Sequence, residues 1–240
     1  METYLLFISE WIGGIAVAMI AGTSAKFTRV KLMFKYPRRE GVVALGIFLL
    51  SLFLAFVLAS VPPLSISGLP DDLTKRLFLA AGSMVPVIVA LWRRKQPVRS
   101  AGWSREKLAP AIQLGLALAF LTIFLRGKFS AVVLGLGSPG VLSMLAYWLA
   151  AAFLEETVFR GYIQPRLSSW WGEYPGWLAA SGLFVICQLP RLLAAPDQLV
   201  FNLFLTAGQG LVAGFIMQRS GHVMAPALYR AVSNWLLFVV

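Results

Sequence analysis

The sequence predicts an all-α bundle of about eight membrane-crossing helices, and three observations predict it. Apolar residues make up 59% of the chain and charged residues 13%, with a mean hydropathy of +0.78. Soluble domains run nearer half apolar and a quarter charged. The apolar residues gather into long segments, and a membrane span needs about 20 of them in a row, or fewer where neighbouring helices supply polar cover. The basic residues fall in short loops between those segments, as the positive-inside pattern requires.

Eight segments qualify, roughly 4–22, 42–61, 77–92, 110–125, 141–163, 175–189, 198–218 and 222–240. The first carries Glu10 and lacks a basic start, so it reads as a retained span rather than a cleaved leader. The second, GVVALGIFLLSLFLAFVLAS, has no charge at all. The third and fourth are short. Before the fourth, GWSREKL reads as a helix start with Ser104 as its cap. The stretch GLGSPG, 135–140, reads as a turn before the fifth span. The sixth is also short, and Pro190 is expected to end it. In the seventh, Gly210 and Gly214 stand four apart, which permits close helix packing.

Loop charge sets the orientation. The first loop holds Lys26, Arg29, Lys31, Lys35, Arg38 and Arg39; the third holds Arg93, Arg94, Lys95, Arg99, Arg105 and Lys107. The second holds Lys75 and Arg76, and the fourth holds Arg126 and Lys128. Loops one and three are therefore expected to face the cytoplasm. Trp103, Trp170 and Trp171 lie beside the inferred cytoplasmic ends, as aromatic belts do. The fifth span then runs inward, which places the pocket described below toward the cytoplasmic side. The net charge of +11 is explained by these loops and calls for no nucleic-acid partner. One cysteine, Cys187, excludes an internal disulfide.

Charges within spans are costly, about 2.5–3.5 kcal/mol each on the insertion scale, and tend to be functional. The last four segments contain Glu155, Glu156, Arg160 and Arg230. Glu156 and Arg160 stand four apart in the favourable order for a helical ion pair. Glu155 is turned about 100° away from Glu156, so its partner must come from another helix. Phe184 and Gln188 share a face of the sixth span, and Arg230 and Asn234 share a face of the eighth. These positions can converge in one polar pocket. A sheltered carboxylate there can act as a general base.

These residues carry a resemblance. EETVFR, 155–160, resembles the EExxxR motif of the CPBP family, the CAAX-protease and bacteriocin-processing intramembrane peptidases, also called Abi. FVICQ, 184–188, stands where that family has FxxxH. RAVSN, 230–234, stands where it has HxxxN. The resemblance covers residues 141–240. It implies an N-terminal set of spans, 1–130, and a CPBP-like core, 131–240, within one integral membrane domain of a bacterial inner membrane. It further implies that Glu155 activates a water for peptide hydrolysis, that Glu156 and Arg160 support it, and that Asn234 donates to an oxyanion. The substrate or partner so implied is a peptide or membrane protein held in the bilayer.

Two departures qualify that expectation. Both motif histidines are replaced, by Gln188 and Arg230. Only Glu155 and Glu156 remain as good metal donors, so no zinc or other cofactor is expected. An arginine beside Glu155 also favours its ionised form and can close the site into an ion-pair network. Hydrolysis is therefore expected to be impaired, and a catalytically dead scaffold with the same pocket is the alternative. The one histidine, His222, lies eight residues before Arg230 and reads as an interfacial residue.

Overall fold

The computed structural model describes residues 2–27, 34–59, 71–193 and 196–239. Arg29 and Lys31, and the expected span ends at 60–61 and 240, lie outside the described residues. The described residues form helices and no strand. In chain order these are α1 (Glu2–Ala21), α2 (Pro37–Ala59), α3 (Asp71–Arg93), α4 (Arg105–Leu125), α5 (Phe129–Gly135), α6 (Pro139–Glu156), α7 (Gln164–Trp171), α8 (Glu173–Leu193), α9 (Leu199–Ser220) and α10 (Met224–Trp235). A π-helical stretch, Thr157–Ile163, joins α6 to α7 without a break.

The chain is an all-α polytopic membrane bundle. Six helical stretches among the described residues are long and apolar enough to cross a bilayer. Their outer faces carry Leu49, Phe53, Phe56, Phe120 and Phe124, all exposed. Contiguous apolar surface of this kind suits lipid, not water. Of the eight expected segments, α8 and α10 are not among the six. α8 contains Gln188 and Pro190 among its apolar residues, and α10 has only 12 residues.

Several boundaries differ from the sequence reading. α3 begins at Asp71, so Arg76 is a helical residue and not a loop residue. α4 starts at Arg105, with Ser104 at the cap position in extended backbone but making no capping hydrogen bond. Pro190 does not end α8, which continues to Leu193. A proline removes one ladder bond, and packed neighbours can re-satisfy the freed carbonyl. The turn at 135–140 stands between α5 and α6, with Ser138 at the cap position and Pro139 opening the helix.

α10 is the central element, packed against α4, α6 and α9. Its apolar side chains enter two cores. Ala231 and Trp235 meet Tyr147 and Trp148 of α6. Tyr229 meets Leu114 and Leu118 of α4 and Ile216 of α9. A third core joins Phe48 of α2, Val87 of α3, Phe159 and Ile163 of the π-helical stretch and Phe184 of α8. Gly210 and Gly214 admit close neighbours, as their spacing predicts: a Cβ on Gly214 would stand 2.5 Å from Trp177, and one on Gly210 would stand 3.2 Å from Phe184.

Candidate active-site cluster

Glu155 and Glu156 are the last two residues of α6, but they are not at the end of the span. The helical path continues through the π-helical stretch to Trp171, so the carboxylates sit in the middle of a 33-residue run, Pro139–Trp171. The π geometry widens the turn next to the glutamates, and such insertions recur at functional sites. Two side-chain contacts mark the transition. Thr157 Oγ1 donates to the Phe153 carbonyl at 2.7 Å, and Trp103 Nε1 donates to Thr157 Oγ1 at 3.3 Å. Gly161 lets the 98–101 turn approach, because a Cβ there would lie 2.2 Å from the Ala101 carbonyl oxygen.

Both carboxylates are buried, and so are Arg160 and Arg230. Arg230 bridges the pair: Nη1 donates to Glu156 Oε1, and Nη2 donates to Glu155 Oε2 at 2.7 Å. Arg160 Nε lies 3.4 Å from Glu156 Oε2, an ion pair without hydrogen-bond geometry. Its Nη2 donates instead to the Gly210 carbonyl of α9 at 2.7 Å. The guanidinium groups of Arg160 and Arg230 each lie near the Phe184 ring, at 4.6 and 4.5 Å from its centre. Glu155 does find partners on other helices, as its helical angle requires. Besides Arg230 of α10, Gln188 Nε2 of α8 donates to its Oε1 at 3.4 Å.

One partner was not visible in the sequence. Arg76 Nη2 of α3 lies 3.3 Å from Glu155 Oε1, and its guanidinium stacks 4.5 Å from the Trp148 ring. Among the described residues, two glutamates face three arginines, Arg76, Arg160 and Arg230, one formal positive charge more.

Beside the cluster is a cavity of about 180 Å³. Arg76, Gln188, Arg230 and Asn234 line it, with Asn202, Thr206 and Gln209 of α9 on the far wall. Leu73, Trp148, Phe184, Leu205, Leu237 and Phe238 complete it. Asn234 is thus in the same cavity as Gln188 and Arg230. The lining comes from the first two turns of α3 and α9, the last turns of α8 and the C-terminal end of α10. That end of the bundle is opposite the basic segments 35–39 and 93–107. The glutamates stand mid-run because the helical path continues past α6 through the π-helical stretch.

Two further polar networks lie outside the motifs. Glu10 of α1 is buried, receives Arg126 Nε at 2.7 Å and accepts from Ser233 Oγ at 2.9 Å. Gln209 of the cavity wall donates to the same Ser233 Oγ at 3.0 Å. Arg126 was read as a loop residue, although an acid at position 10 of an apolar segment signalled that some cation must meet it. His222 is buried rather than interfacial. Its Nδ1 accepts from Met224 N at 3.0 Å, and its ring meets Trp103 edge-on at 5.6 Å.

A metal does not fit these residues. Among the described residues no three His, Cys, Asp or Glu side chains group closely enough to hold one. Gln188 is a poor donor to a metal and Arg230 is a permanent cation. Arg230 also occupies one oxygen of each glutamate.

Comparison with protein families gives one match: the Rce1-like family, described as type II CAAX prenyl endopeptidase Rce1-like, over residues 137–236. Comparisons with curated proteins and with solved structures give no match. The matched stretch holds α6 through α10, and so both glutamates, Arg160, Gln188, Arg230 and Asn234. Over residues 137–236 the chain is therefore similar to the CAAX-protease family of intramembrane endopeptidases.

Proposed function

We propose that this protein is a CAAX-protease-like membrane protein whose hydrolytic site has closed into an ion-pair cluster, and that it binds a ligand or membrane partner in its cavity without cutting a peptide. Glu155 would be the base and Glu156 and Arg160 its support in a working peptidase, with Asn234 as oxyanion donor. The observation that carries the proposal is the Arg230 bridge to both carboxylates. A general base must hold a water within hydrogen-bond reach of its lone pairs and take a proton from it. Here Arg230 occupies Glu155 Oε2, while Arg76 and Gln188 stand at Oε1, so both oxygens that would hold such a water are engaged.

The test is a cleavage assay on the purified full chain with a library of hydrophobic and C-terminally exposed peptides. Wild type should show no cleavage above the Glu155→Ala background. The double variant Gln188→His/Arg230→His, which restores the family pattern, should gain activity that Glu155→Ala abolishes. Cleavage by wild type that is lost in Glu155→Ala would overturn the silent reading and make Gln188 and Arg230 working replacements.

A further inference from the structure

The cavity combines three features that the hydrolytic motif does not explain. Two arginines, Arg76 and Arg230, line it, and the adjoining cluster sets three arginines, Arg76, Arg160 and Arg230, against two glutamates among the described residues. The adjoining Glu10–Arg126 pair is neutral and does not offset it. Nε of Arg76 and Nε of Arg230 are buried and make no hydrogen bond among the described residues. The guanidiniums of both residues line the cavity, and an anionic oxygen is the natural complement of a guanidinium there. The rim is apolar: Leu237 and Phe238 are about half exposed, and Leu73 stands beside Arg76.

We propose that the cavity binds the headgroup of an anionic lipid, with its charged oxygens against Arg76 and Arg230 and its acyl chain passing out over Leu237 and Phe238. A singly charged headgroup balances the cluster. A volume of about 180 Å³ holds a phosphodiester and little more, so the chains must remain outside in the bilayer. Amide and hydroxyl groups of Asn202, Thr206 and Asn234 face the same space and can hydrogen-bond the remaining oxygens. The mouth is at the bundle end away from the basic loops, so the lipid comes from the leaflet opposite the cytoplasmic one. This rests on the cavity being a binding site rather than a cleaving one.

The test uses the full chain in lipid nanodiscs and in detergent. Native mass spectrometry should retain one phosphatidylglycerol on wild type and no phosphatidylcholine under matched conditions. Arg76→Gln should bind phosphatidylglycerol about tenfold more weakly, the loss of one charge-assisted contact. Arg76→Lys should recover part of that affinity, because the charge is kept. Arg76 makes a single ion pair at 3.3 Å, so its removal should leave the fold intact, as checked by an unchanged elution profile. Equal retention of both lipids, or no effect of Arg76→Gln, overturns the proposal. Protection against heat by inorganic phosphate equal to that by phosphatidylglycerol overturns the amphiphile and leaves a free-anion site. Tighter binding of a peptide with a free C-terminal carboxylate than of its amide, with no lipid selectivity, also overturns it. Peptide cleavage in the same preparation would overturn the silent reading instead, and the lipid count would still report on this one.

Discussion

Two of the charged clusters in the bundle, one at the basic end and one at the cavity, are built differently. At the basic end, Glu40 of α2 meets Arg94 and Arg166, and Gln96 joins them. Arg166 also donates to the Tyr162 carbonyl at 2.9 Å, the Ser100 carbonyl at 3.1 Å and the Gln96 amide oxygen at 2.6 Å. No buried charged atom of Glu40, Arg94 or Arg166 is left without a hydrogen bond among the described residues. In the cavity cluster, by contrast, Arg76 Nε, Arg160 Nε and Nη1, Glu156 Oε2 and Arg230 Nε are all buried and make none. Saturated networks hold a structure in one arrangement, while half-satisfied ones persist where something besides stability is selected. The first cluster fastens α7 to α2 and the 98–101 turn; the second borders the cavity.

The sharpest way to break this comparison is to remove one arginine from each cluster. Arg166→Ala strands Glu40 and two backbone carbonyls, and should cost about 3–5 kcal/mol, the range for breaking a buried ion pair. Arg230→Ala should sit at the low end of that range, about 3 kcal/mol, because Glu155 keeps Arg76 and Gln188 and Glu156 keeps Arg160. Thermal unfolding in one detergent compares them directly. A larger loss for Arg230→Ala than for Arg166→Ala would mean that the cavity cluster, and not the basic-end cluster, is the main fastener.

How far the sequence revealed this arrangement depends on whether a partner was local or distant. The membrane class and the run of apolar segments followed from composition, and helical spacing together with the family resemblance pointed to a meeting of Glu155, Gln188 and Arg230. Arg76 and Arg126 did not, because each stands at the edge of an apolar segment, where a cation ordinarily reaches water. Their pairing is set by tilt and depth, which a one-dimensional hydropathy profile does not contain. The π-helical stretch was equally hidden: EETVFRGY has ordinary helix spacing, and only the approach of the 98–101 turn to Gly161 distinguishes it. Pro190 misled for a related reason, since a proline ends a helix in water more strictly than among packed neighbours.

The basic end also carries a pH dependence. Burial first, and Lys107 second, press the His222 imidazole down to about 4 from its ordinary value near 6.5. The neutral ring is the folded form, with Nδ1 accepting from Met224 N. Because the folded value is depressed, the stabilisation is complete above pH about 6.5 and is lost as pH falls through the window down to about 4. The loss should reach up to about 3 kcal/mol at the acid limit. Unfolding of wild type and His222→Asn between pH 7.5 and 4 isolates it, since the other acidic groups titrate alike in both. Parallel curves for the two proteins would show that the histidine contributes no such slope.

The smallest expected effect concerns Trp103, which joins the basic end to the glutamate helix. Its Nε1 donates to Thr157 Oγ1 at 3.3 Å, a long bond to a hydroxyl that is already engaged with the Phe153 carbonyl. Its ring stacks 6.0 Å from Phe153 and meets His222 edge-on. Trp103→Phe keeps the ring contacts and removes the donor, so it should cost under about 1 kcal/mol. Trp103→Ala removes the packing as well and should cost about 3 kcal/mol or more. If both variants lost the same amount, the hydrogen bond to Thr157 would be the dominant contact. The π-helical stretch would then depend on a polar tether from the 98–104 segment, and the basic end would act on the glutamates through that tether rather than through packing.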